Sequence, residues 1–375
     1  MDNNYEIKIY RNWLEVAALE KSWADLIKRS EVNYIFNTFT WCKTWWRNFG
    51  AKQELFVLTV SCSDNLVALA PLMIKRKKYF KFFIRKELTF IGTPEADYCD
   101  FIIDQKHQSV IYQLIWQKIL DYCQSEKVVI SFKDVPTKSL LSGSWHQIAY
   151  PYKSVYQGDD CYQLNYADFS LTQLDQFINK RDTKQKIKKL NRLGEINMYW
   201  IKDSEELDLR LADFFMLFQK RALQKGYLRF FNHHAYQDFF RELCREFLNQ
   251  GLLRLWVLTI NKKTVALDIN FLYNNVYARY LPAFDRTYAR YSPGLILLEK
   301  VISAGKLEAN VYDFLRGGET YKENYINIRN KNQTLNLYPN KLTFVFWEKW
   351  FNFRIRLKKI KILGLFYHYF KCFFF

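Results

Sequence analysis

The chain has 375 residues, of which 49% are hydrophobic and 25% are charged. This composition excludes disordered and fibrous proteins, and the length predicts two domains of roughly 100 to 200 residues each. The formal net charge is +18, from 56 Lys and Arg against 38 Asp and Glu, so we expect an anionic partner: nucleic acid, lipid headgroups or a phosphorylated substrate. The opening residues show no apolar segment behind a basic one, which predicts a cytoplasmic protein.

The first half of the chain alternates segments with helical and strand patterns. Apolar residues recur with helical spacing at 19–30 and 110–125. Residues 56–72 contain two apolar runs around a polar turn at 63–65, which predicts a strand hairpin. The alternation favours an α/β (α+β) fold with mixed sheets flanked by helices.

A second hairpin is predicted at residues 256–271, with its turn at 261–263. Its strands and turn repeat those of the first hairpin. We interpret this repeat as a weak internal duplication of one domain type, the alternative being a chance similarity of two hairpins. The predicted domains are residues 1–165 and 166–338, followed by a basic aromatic extension at 339–375.

Three further helices are predicted in the second half, at residues 177–194, 212–226 and 236–251. Each ends at a glycine, which suits a helix C-cap. The first of the three is highly basic, and we interpret it as the start of the second domain.

Basic residues collect in three segments, at 75–86, 180–192 and 354–361. No sequence signature of a nucleic-acid-binding fold accompanies them, so nucleic acid is the second choice of partner. Aromatic and basic residues alternate through 344–375, and the apolar runs there are too short to span a bilayer. This segment either lies at an anionic membrane surface, which predicts a peripheral inner-membrane location, or packs back on the protein.

The sequence lacks the motifs of several enzyme classes. GxSxG and HExxH are absent, and the five histidines have no metal-ligand spacing, so we predict neither a hydrolase nor a metal site. The seven cysteines are scattered, with no CxxC pair, which favours reduced thiols.

A strand-to-helix turn in the second half predicts an anion site. A strand at 276–285 leads through Arg286–Tyr291 to Ser292-Pro293-Gly294 and a helix. We expect Ser292 to cap that helix, Pro293 to occupy its first turn and Gly294 to admit a ligand closely. Free N–H groups and Arg290 would then suit a pyrophosphate, although many strand-to-helix turns share this pattern.

Residues 311–325 read Val-Tyr-Asp-Phe-Leu-Arg-Gly-Gly-Glu-Thr-Tyr-Lys-Glu-Asn-Tyr. This segment resembles the FDF-x-x-G-x-x-x-YK motif of the BioF2-like (CelD-type, cellulose-biosynthesis) acetyltransferases, a FemAB-related branch of the GNAT superfamily. The resemblance extends back over 184–194, 219–221, 255–271 and 283–294, and it is looser in the first half of the chain.

The resemblance implies two GNAT-like domains in tandem and an acyl-CoA donor, such as acetyl-CoA, held where the central strands splay apart. Its pyrophosphate would lie at the strand-to-helix turn, which here departs from the glycine-rich Q/R-x-x-G-x-G/A loop of GNAT enzymes. FemAB-like relatives use aminoacyl-tRNA instead. The cofactor-binding residues predicted in this way are Arg290, Tyr291, Ser292, Pro293 and Gly294.

Acyl transfer to an amine needs a base for the nitrogen and an acid for the departing thiolate. We expect Asp313 or Glu319 to be the base and Tyr321 the acid, with Tyr325 as a second candidate. The alternatives are that Asp313, on a strand, simply caps or pairs with Arg316, that Tyr321 belongs to the core, and that Gly317-Gly318 is only a tight turn. Predicted substrate-binding residues are Asp285, Arg316, Gly317 and Lys322.

Together these residues and the resemblance predict an acyl-CoA-dependent N-acyltransferase. Its acceptor would be a small-molecule or glycan amine, such as an amino sugar in envelope polysaccharide or lipopolysaccharide synthesis. One alternative is a FemAB-type transferase that binds charged tRNA. The other is a non-catalytic protein of the same fold that binds membranes or nucleic acid.

Overall fold

The structure, a computed structural model, describes residues 4–79, 83–178, 181–224 and 234–359. The chain divides into two compact units. The first contains Met1–Gly158 together with Lys331–Phe375, and the second contains Asp159–Asn330. The domain boundaries predicted at 165 and 338 stay predictions.

The first unit contains a mixed sheet and flanking helices. Short 3₁₀ helices occur at Ile35–Asn37, Gly50–Lys52 and Gln105–His107. Its strands and helices up to residue 158 are β1 (Tyr5–Tyr10), α1 (Trp13–Ala17), α2 (Glu20–Arg29), α3 (Phe39–Phe49), β2 (Glu54–Cys62), β3 (Asn65–Tyr79), β4 (Phe83–Phe90), β5 (Ile102–Ile103), α4 (Gln108–Ser125), β6 (Val129–Pro136) and α5 (Leu140–Gln147).

The second unit begins within the next strand and has the same classes of element. Its 3₁₀ helices are Tyr166–Asp168, Arg286–Tyr291 and Thr320–Tyr325. The remaining elements, of which the last two return the chain to the first unit, are β7 (Lys153–Asn165), α6 (Leu171–Ile178), α7 (Arg181–Asn191), β8 (Ile196–Trp200), α8 (Ser204–Gln224), α9 (His234–Asn249), β9 (Leu253–Ile260), β10 (Lys263–Tyr273), β11 (Val276–Phe284), α10 (Pro293–Gly305), β12 (Val311–Arg316), β13 (Ile328–Leu337) and α11 (Lys341–Lys359).

Both units have the same sheet topology. In the first, β1 to β4 are antiparallel neighbours, β6 is parallel to β4, and β13 is antiparallel to β6. In the second, β8 to β11 are antiparallel neighbours, β12 is parallel to β11, and β7 is antiparallel to β12. A helix, α4 or α10, joins the two parallel strands of each unit. This repeated order confirms the internal duplication predicted from the hairpins.

The two predicted hairpins are confirmed as β2–β3 and β9–β10. Each has a two-residue turn with positive φ at both positions, Ser63 and Asp64 in one and Asn261 and Lys262 in the other. Polar residues tolerate this left-handed backbone better than β-branched ones, and such turns match the twist of paired strands. The polar residues at 63–64 and 261–262 therefore predicted the positions of both turns correctly.

The helix predictions were mostly confirmed. The segments predicted at 19–30, 110–125 and 236–251 correspond to α2, α4 and α9. The helix predicted at 212–226 begins earlier, at Ser204, and its predicted end at Gly226 lies outside the described residues. The prediction of one helix at 177–194 was wrong at its start, because Phe177 belongs to α6 and the basic residues form α7.

The parallel strands of each unit pair over a short length and then diverge. In the second unit, β11 and β12 pair over only three residues each, Val276–Ala278 of β11 with Val311–Asp313 of β12. Buried residues of α10, among them Ile296, Leu297 and Val301, pack in a core beside Tyr277 and Tyr312. The second unit therefore has a packed core of aromatic and aliphatic residues beside the paired part of these strands.

The described part of the predicted C-terminal extension packs on the first unit. Trp347 of α11 is buried with Val129 and Tyr338, and Tyr156 donates a hydrogen bond to Glu348. Residues 360–375 lie outside the described part of the chain, so a membrane role for them stays a prediction. No helix among the described residues is long and apolar enough to cross a bilayer.

Candidate active site

A buried ion pair joins two neighbouring strands of the second unit. Asp268 of β10 and Arg279 of β11 are 1% and 5% exposed, and Oδ2 of Asp268 is 2.7 Å from Nε of Arg279. Arg279 follows the last β11 residue that pairs with β12, so it lies where the two strands diverge. Burial alone would lower the pKa of Arg279, but the Asp268 carboxylate outweighs this effect and the net shift is upward.

The ion pair holds a tyrosine that was predicted to be catalytic. Nη1 of Arg279 donates a hydrogen bond to the phenolic oxygen of Tyr321 over 2.6 Å. Because the oxygen is the acceptor, this bond leaves the phenolic hydrogen available to another group. We call Asp268, Arg279 and Tyr321 the arginine triad.

Unsatisfied polar atoms lie on the sheet face of the arginine triad. Asn270 is opposite Arg279, Tyr312 is opposite Tyr277, and side chains alternate along a strand, so these residues share one face. Oδ1 of Asp268, Oδ1 of Asn270 and the Tyr312 hydroxyl are buried without a hydrogen-bond partner in the described part of the chain. Buried polar groups normally have partners, so this face suits a polar ligand or ordered water.

Tyr325 has a different environment from Tyr321. Its hydroxyl donates to Oε1 of Glu299 over 2.8 Å, and the Thr183 hydroxyl donates to the same oxygen over 2.9 Å. All three residues are buried. Burial, followed by the hydrogen bond to Glu299, raises the pKa of Tyr325. The proton of Tyr325 is therefore engaged inside the protein, which makes it the weaker candidate acid.

Lys322 and Glu319 hold the turn that follows β12. Nζ of Lys322 lies 2.9 Å from Oε2 of Glu319 and donates to the carbonyl oxygens of Phe314, Arg316 and Gly317 over 3.1 to 3.3 Å. Lys322 is buried, and these acceptors engage its ammonium. They favour a structural role for Lys322, while its predicted phosphate contact stays a prediction.

Glu319 is the more accessible of the two predicted bases, since its side chain is 53% exposed. Burial raises the pKa of its carboxyl, but the charge and hydrogen bond of Lys322 reverse the sign, and the net shift is downward. Glu319 is therefore ionised at neutral pH and able to accept a proton.

Gly317 and Gly318 offer a matched test of this turn. Gly317 has a φ of +127°, and an added Cβ would lie 2.5 Å from Oε2 of Glu319, whereas a Cβ on Gly318 would meet nothing within 4 Å. We expect Gly317→Ala to lower the free energy of unfolding by about 1–3 kcal/mol and Gly318→Ala to change it by less than about 1 kcal/mol. Denaturant unfolding of both variants measures the difference, and equal losses would contradict the assigned strain.

Asp313 is not brought together with the predicted acids. It is opposite Ala278, so it lies on the other sheet face from Arg279 and Tyr312. Its carboxylate accepts hydrogen bonds of 2.7 Å from the Leu315 N–H and from Nε2 of Gln163. Leu315 has a left-handed φ of 57°. These contacts favour the alternative in which Asp313 stabilises the turn rather than accepting a proton.

The predicted cofactor turn has Pro293 at the first position of α10, as expected. The expectation that the Ser292 side chain caps the helix was wrong: Ser292 adopts a left-handed backbone and makes no side-chain capping bond. The N–H groups of Ser292, Leu295 and Ile296 donate to carbonyls of Ala289 and Ser292. Pro293 has no N–H, so Gly294 supplies the remaining N–H of this turn.

The side chains around this turn have separate roles. Arg290 is exposed, and its guanidinium lies 4.7 Å from the centre of the Tyr291 ring. Asp285 caps the preceding 3₁₀ helix through two bonds from Thr287, over 3.0 and 2.8 Å. Burial raises the pKa of Asp285, but the Thr287 bonds and the charge of Lys263 make the net shift downward. Asp285 is therefore engaged in the turn, and its predicted substrate contact stays a prediction.

The structure thus brings some predicted residues together. Glu319, Tyr321, Lys322 and Tyr325 lie on or next to one 3₁₀ helix, and Tyr291 packs against the same hydrophobic core as Tyr321. Arg316 is half-buried at the end of β12. Asp268, Arg279, Glu299 and Thr183 were not predicted from the sequence. For Asp268 and Arg279, a charged residue within an apolar strand was a usable signal.

Comparisons with known proteins agree with this fold. The acetyltransferase (GNAT) domain family matches residues 179–323. Among solved structures, FemX aligns at a TM-score of 0.57 and 9% identity, over 85% of this chain and 96% of FemX. A conserved protein of unknown function from Bacteroides thetaiotaomicron aligns at a TM-score of 0.55 and 12% identity, over 89% of this chain and 100% of that one.

A third similar structure is the C-terminal domain (DUF2156) of a putative lysylphosphatidylglycerol synthetase from Agrobacterium fabrum. It aligns at a TM-score of 0.53 and 10% identity, over 89% of this chain and 95% of that domain. No curated protein matches the chain. At these identities the structural matches establish the fold alone. The predicted α/β, GNAT-like fold class is confirmed, and the assignment to the CelD-type branch stays a prediction.

Proposed function

We propose that the protein is an acyl-CoA-dependent N-acyltransferase whose reaction takes place at the arginine triad. The 2.6 Å contact between Arg279 and the Tyr321 oxygen is the observation that carries this proposal. The contact leaves the phenolic proton available, and it puts a fixed positive charge beside the oxygen that becomes negative when the proton leaves. A guanidinium held by a buried carboxylate needs no reorganisation during the reaction.

The residues have separate roles in the proposed reaction. The amine nitrogen forms a bond to the thioester carbonyl carbon, and the carbon–sulfur bond breaks. Tyr321 gives its proton to the departing sulfur, and Glu319 or solvent takes the proton that the nitrogen loses. Asp268 positions Arg279, and so acts through it rather than on the substrate.

The strand-to-helix turn supplies the residues for the donor. Acyl-CoA brings an activated acyl group and anionic phosphates. The exposed Arg290 guanidinium and the Gly294 N–H at the start of α10 suit one of those phosphates. This is a smaller set of N–H donors than a glycine-rich loop provides, so Arg290 would contribute much of the affinity.

The acceptor is proposed to be an amine of a small molecule or glycan, such as an amino sugar used in envelope polysaccharide or lipopolysaccharide synthesis. The half-exposed Glu319 carboxylate suits a cationic amine before its proton is lost. Location in the cytoplasm or at the inner membrane face is part of the same proposal.

Acetyl-CoA is expected to raise the thermal midpoint of the purified protein, because a ligand that binds only the native state stabilises it. At a concentration of 100 times Kd the gain is about 2.7 kcal/mol. Differential scanning fluorimetry across a concentration series measures the effect. We expect Arg290→Ala to weaken it strongly.

Arg286→Ala is the matched control, since Arg286 is an exposed arginine on the same 3₁₀ helix. It should leave the acetyl-CoA shift close to that of the unaltered protein. No shift with acetyl-CoA, longer acyl-CoA or free CoA would refute the CoA assignment.

A second candidate is aminoacyl-tRNA-dependent transfer. It is favoured because the N–H groups of Ser292, Leu295 and Ile296 in the strand-to-helix turn already donate to backbone carbonyls, which leaves fewer donors for the pyrophosphate of CoA. Helix α7, with Lys184, Lys186, Lys188 and Lys189, supplies basic charge suited to RNA phosphates. This candidate predicts binding of charged tRNA that weakens steeply with salt, together with indifference to CoA. Binding to neither donor would leave the non-catalytic alternative.

A further inference from the structure

Helix α11 presents a row of apolar side chains to solvent. Four of these side chains are exposed, by 84%, 38%, 48% and 52% respectively: Leu342, Val345, Phe346 and Phe353. Their spacing follows the period of an α-helix, so they lie on one face of α11. We call these four residues the α11 stripe. Single exposed apolar residues are common on protein surfaces, whereas an apolar face that runs along a helix is typical of an interaction surface.

The opposite face of α11 is fixed to the first unit. Trp347 is 4% exposed and packs in a core with Val129 and Tyr338. One turn further along, the centre of the Phe351 ring lies 3.8 Å from the centre of the Tyr156 ring. These contacts set the rotation of the helix about its own axis. The α11 stripe is therefore held on the outer side of the helix, available to a partner.

The charge of α11 indicates the kind of partner. The helix contains one acidic residue, Glu348, and six basic residues: Lys341, Lys349, Arg354, Arg356, Lys358 and Lys359. The Glu348 carboxylate accepts hydrogen bonds from the hydroxyls of Tyr156 and Tyr338, the second over 3.2 Å, so its charge is engaged on the protein side. Lys349 is exposed on the same face as the stripe. The outer side of α11 therefore combines apolar side chains with positive charge.

We propose that the α11 stripe docks the protein on the surface of an anionic membrane. The apolar side chains enter the boundary between headgroups and acyl chains, and the basic side chains contact lipid phosphates. Trp350 is half-buried beside Phe353, with 6.1 Å between their ring centres, and such aromatic residues are enriched at the level of the headgroups. The inference deepens the proposed location at the inner membrane face and does not depend on the proposed reaction.

Charge complementarity favours a membrane over the two apolar partners that the chain itself could offer. A second copy of the protein presents the same basic helix. The sequence of residues 360–375 contains Lys361 and Lys371 and no acidic residue. Either of these partners brings positive charge to the positive charge of α11, which is unfavourable. Anionic lipid brings the opposite charge together with an apolar interior.

Co-sedimentation of the full chain with lipid vesicles tests the proposal. The protein should pellet with vesicles of phosphatidylcholine and phosphatidylglycerol in equal amounts and stay in solution with phosphatidylcholine alone. Leu342→Glu should weaken binding about tenfold or more, because it removes an aliphatic side chain from the lipid boundary and adds a negative charge. Lys349→Gln should weaken binding about fivefold, the usual contribution of one lysine near an anionic surface.

Leu14→Glu is the matched control, because Leu14 is 79% exposed on α1 of the same unit and the change in charge is identical. It should bind the vesicles as the unaltered protein does. Leu342 is exposed in the first turn of α11, where an acidic residue suits the helix dipole, so Leu342→Glu should keep its thermal midpoint and its response to acetyl-CoA. A failed membrane test is thereby separated from a failure of the proposed reaction.

Three outcomes would overturn the proposal. The first is that the protein does not pellet with the anionic vesicles. The second is binding that Leu342→Glu leaves unchanged, or that Leu342→Glu and Leu14→Glu weaken equally. The third is a dimer in analytical ultracentrifugation that Leu342→Glu dissociates, without vesicle binding, which would assign the α11 stripe to a second copy of the chain.

Discussion

Asp268→Ala is expected to lower the free energy of unfolding by about 3–5 kcal/mol, because it leaves the Arg279 guanidinium buried without its carboxylate. The loss is large compared with the value of a surface ion pair, since the buried charge cannot regain its hydration without opening the sheet. Chemical denaturation at neutral pH, followed by tryptophan fluorescence, measures the change.

Asp208→Ala is the matched control within the same unit. Asp208 pairs with Arg245 over 2.7 Å, but the two side chains are 48% and 52% exposed. Solvent screens this pair, so the loss should be below about 1 kcal/mol. If Asp268→Ala and Asp208→Ala gave equal losses, the Asp268–Arg279 pair would not be the buried interaction described above.

The secondary structure of the chain could be predicted largely from local patterns. The turns at Ser63-Asp64 and Asn261-Lys262 separate runs of apolar strand residues, and both hairpins formed where predicted. The start of α10 was located by Pro293. The left-handed backbone of Ser292 was not predictable, because serine before proline usually signals an extended N-cap.

The candidate site depends on contacts between residues of different strands, which local sequence patterns do not predict. Asp268 and Arg279 lie on adjacent strands, on either side of a β-bulge that shifts the register between Ile269 and Asn270, and the sequence gives no sign of that shift. Asp313 and Tyr321 belong to one motif in the sequence, yet strand alternation turns Asp313 to the other face. The pairing of the strands therefore determines which residues of the motif come into contact.

The duplicated topology does not make the two units equivalent. In the first unit the chain after β4 takes a different course: the Cys99 N–H donates to the Asp134 carbonyl oxygen of β6, and β5 pairs with β3. Backbone from the same unit thus bonds to β6 beyond its short pairing with β4. This difference is the reason to assign the donor to the second unit in the proposed function.

Tyr321→Phe is expected to reduce kcat for acyl transfer by roughly 10²- to 10⁴-fold, the usual contribution of a general acid. KM for the donor should change little, because the substitution leaves Arg290 and Gly294 in place. The variant should also lose about 1 kcal/mol of stability, since Arg279 loses one hydrogen-bond acceptor. Thiol release from acetyl-CoA in the presence of an amine acceptor measures kcat.

Tyr273→Phe provides the matched control, because it removes a tyrosine hydroxyl at the far end of β10, outside the arginine triad. Its kcat should stay within about twofold of the unaltered protein. If the Tyr321→Phe enzyme kept full kcat, Tyr321 would be excluded as the proton donor. The acyltransferase assignment would stay open, because solvent or Tyr325 would then protonate the thiolate. Loss of donor binding together with kcat would instead place Tyr321 in the binding of acyl-CoA.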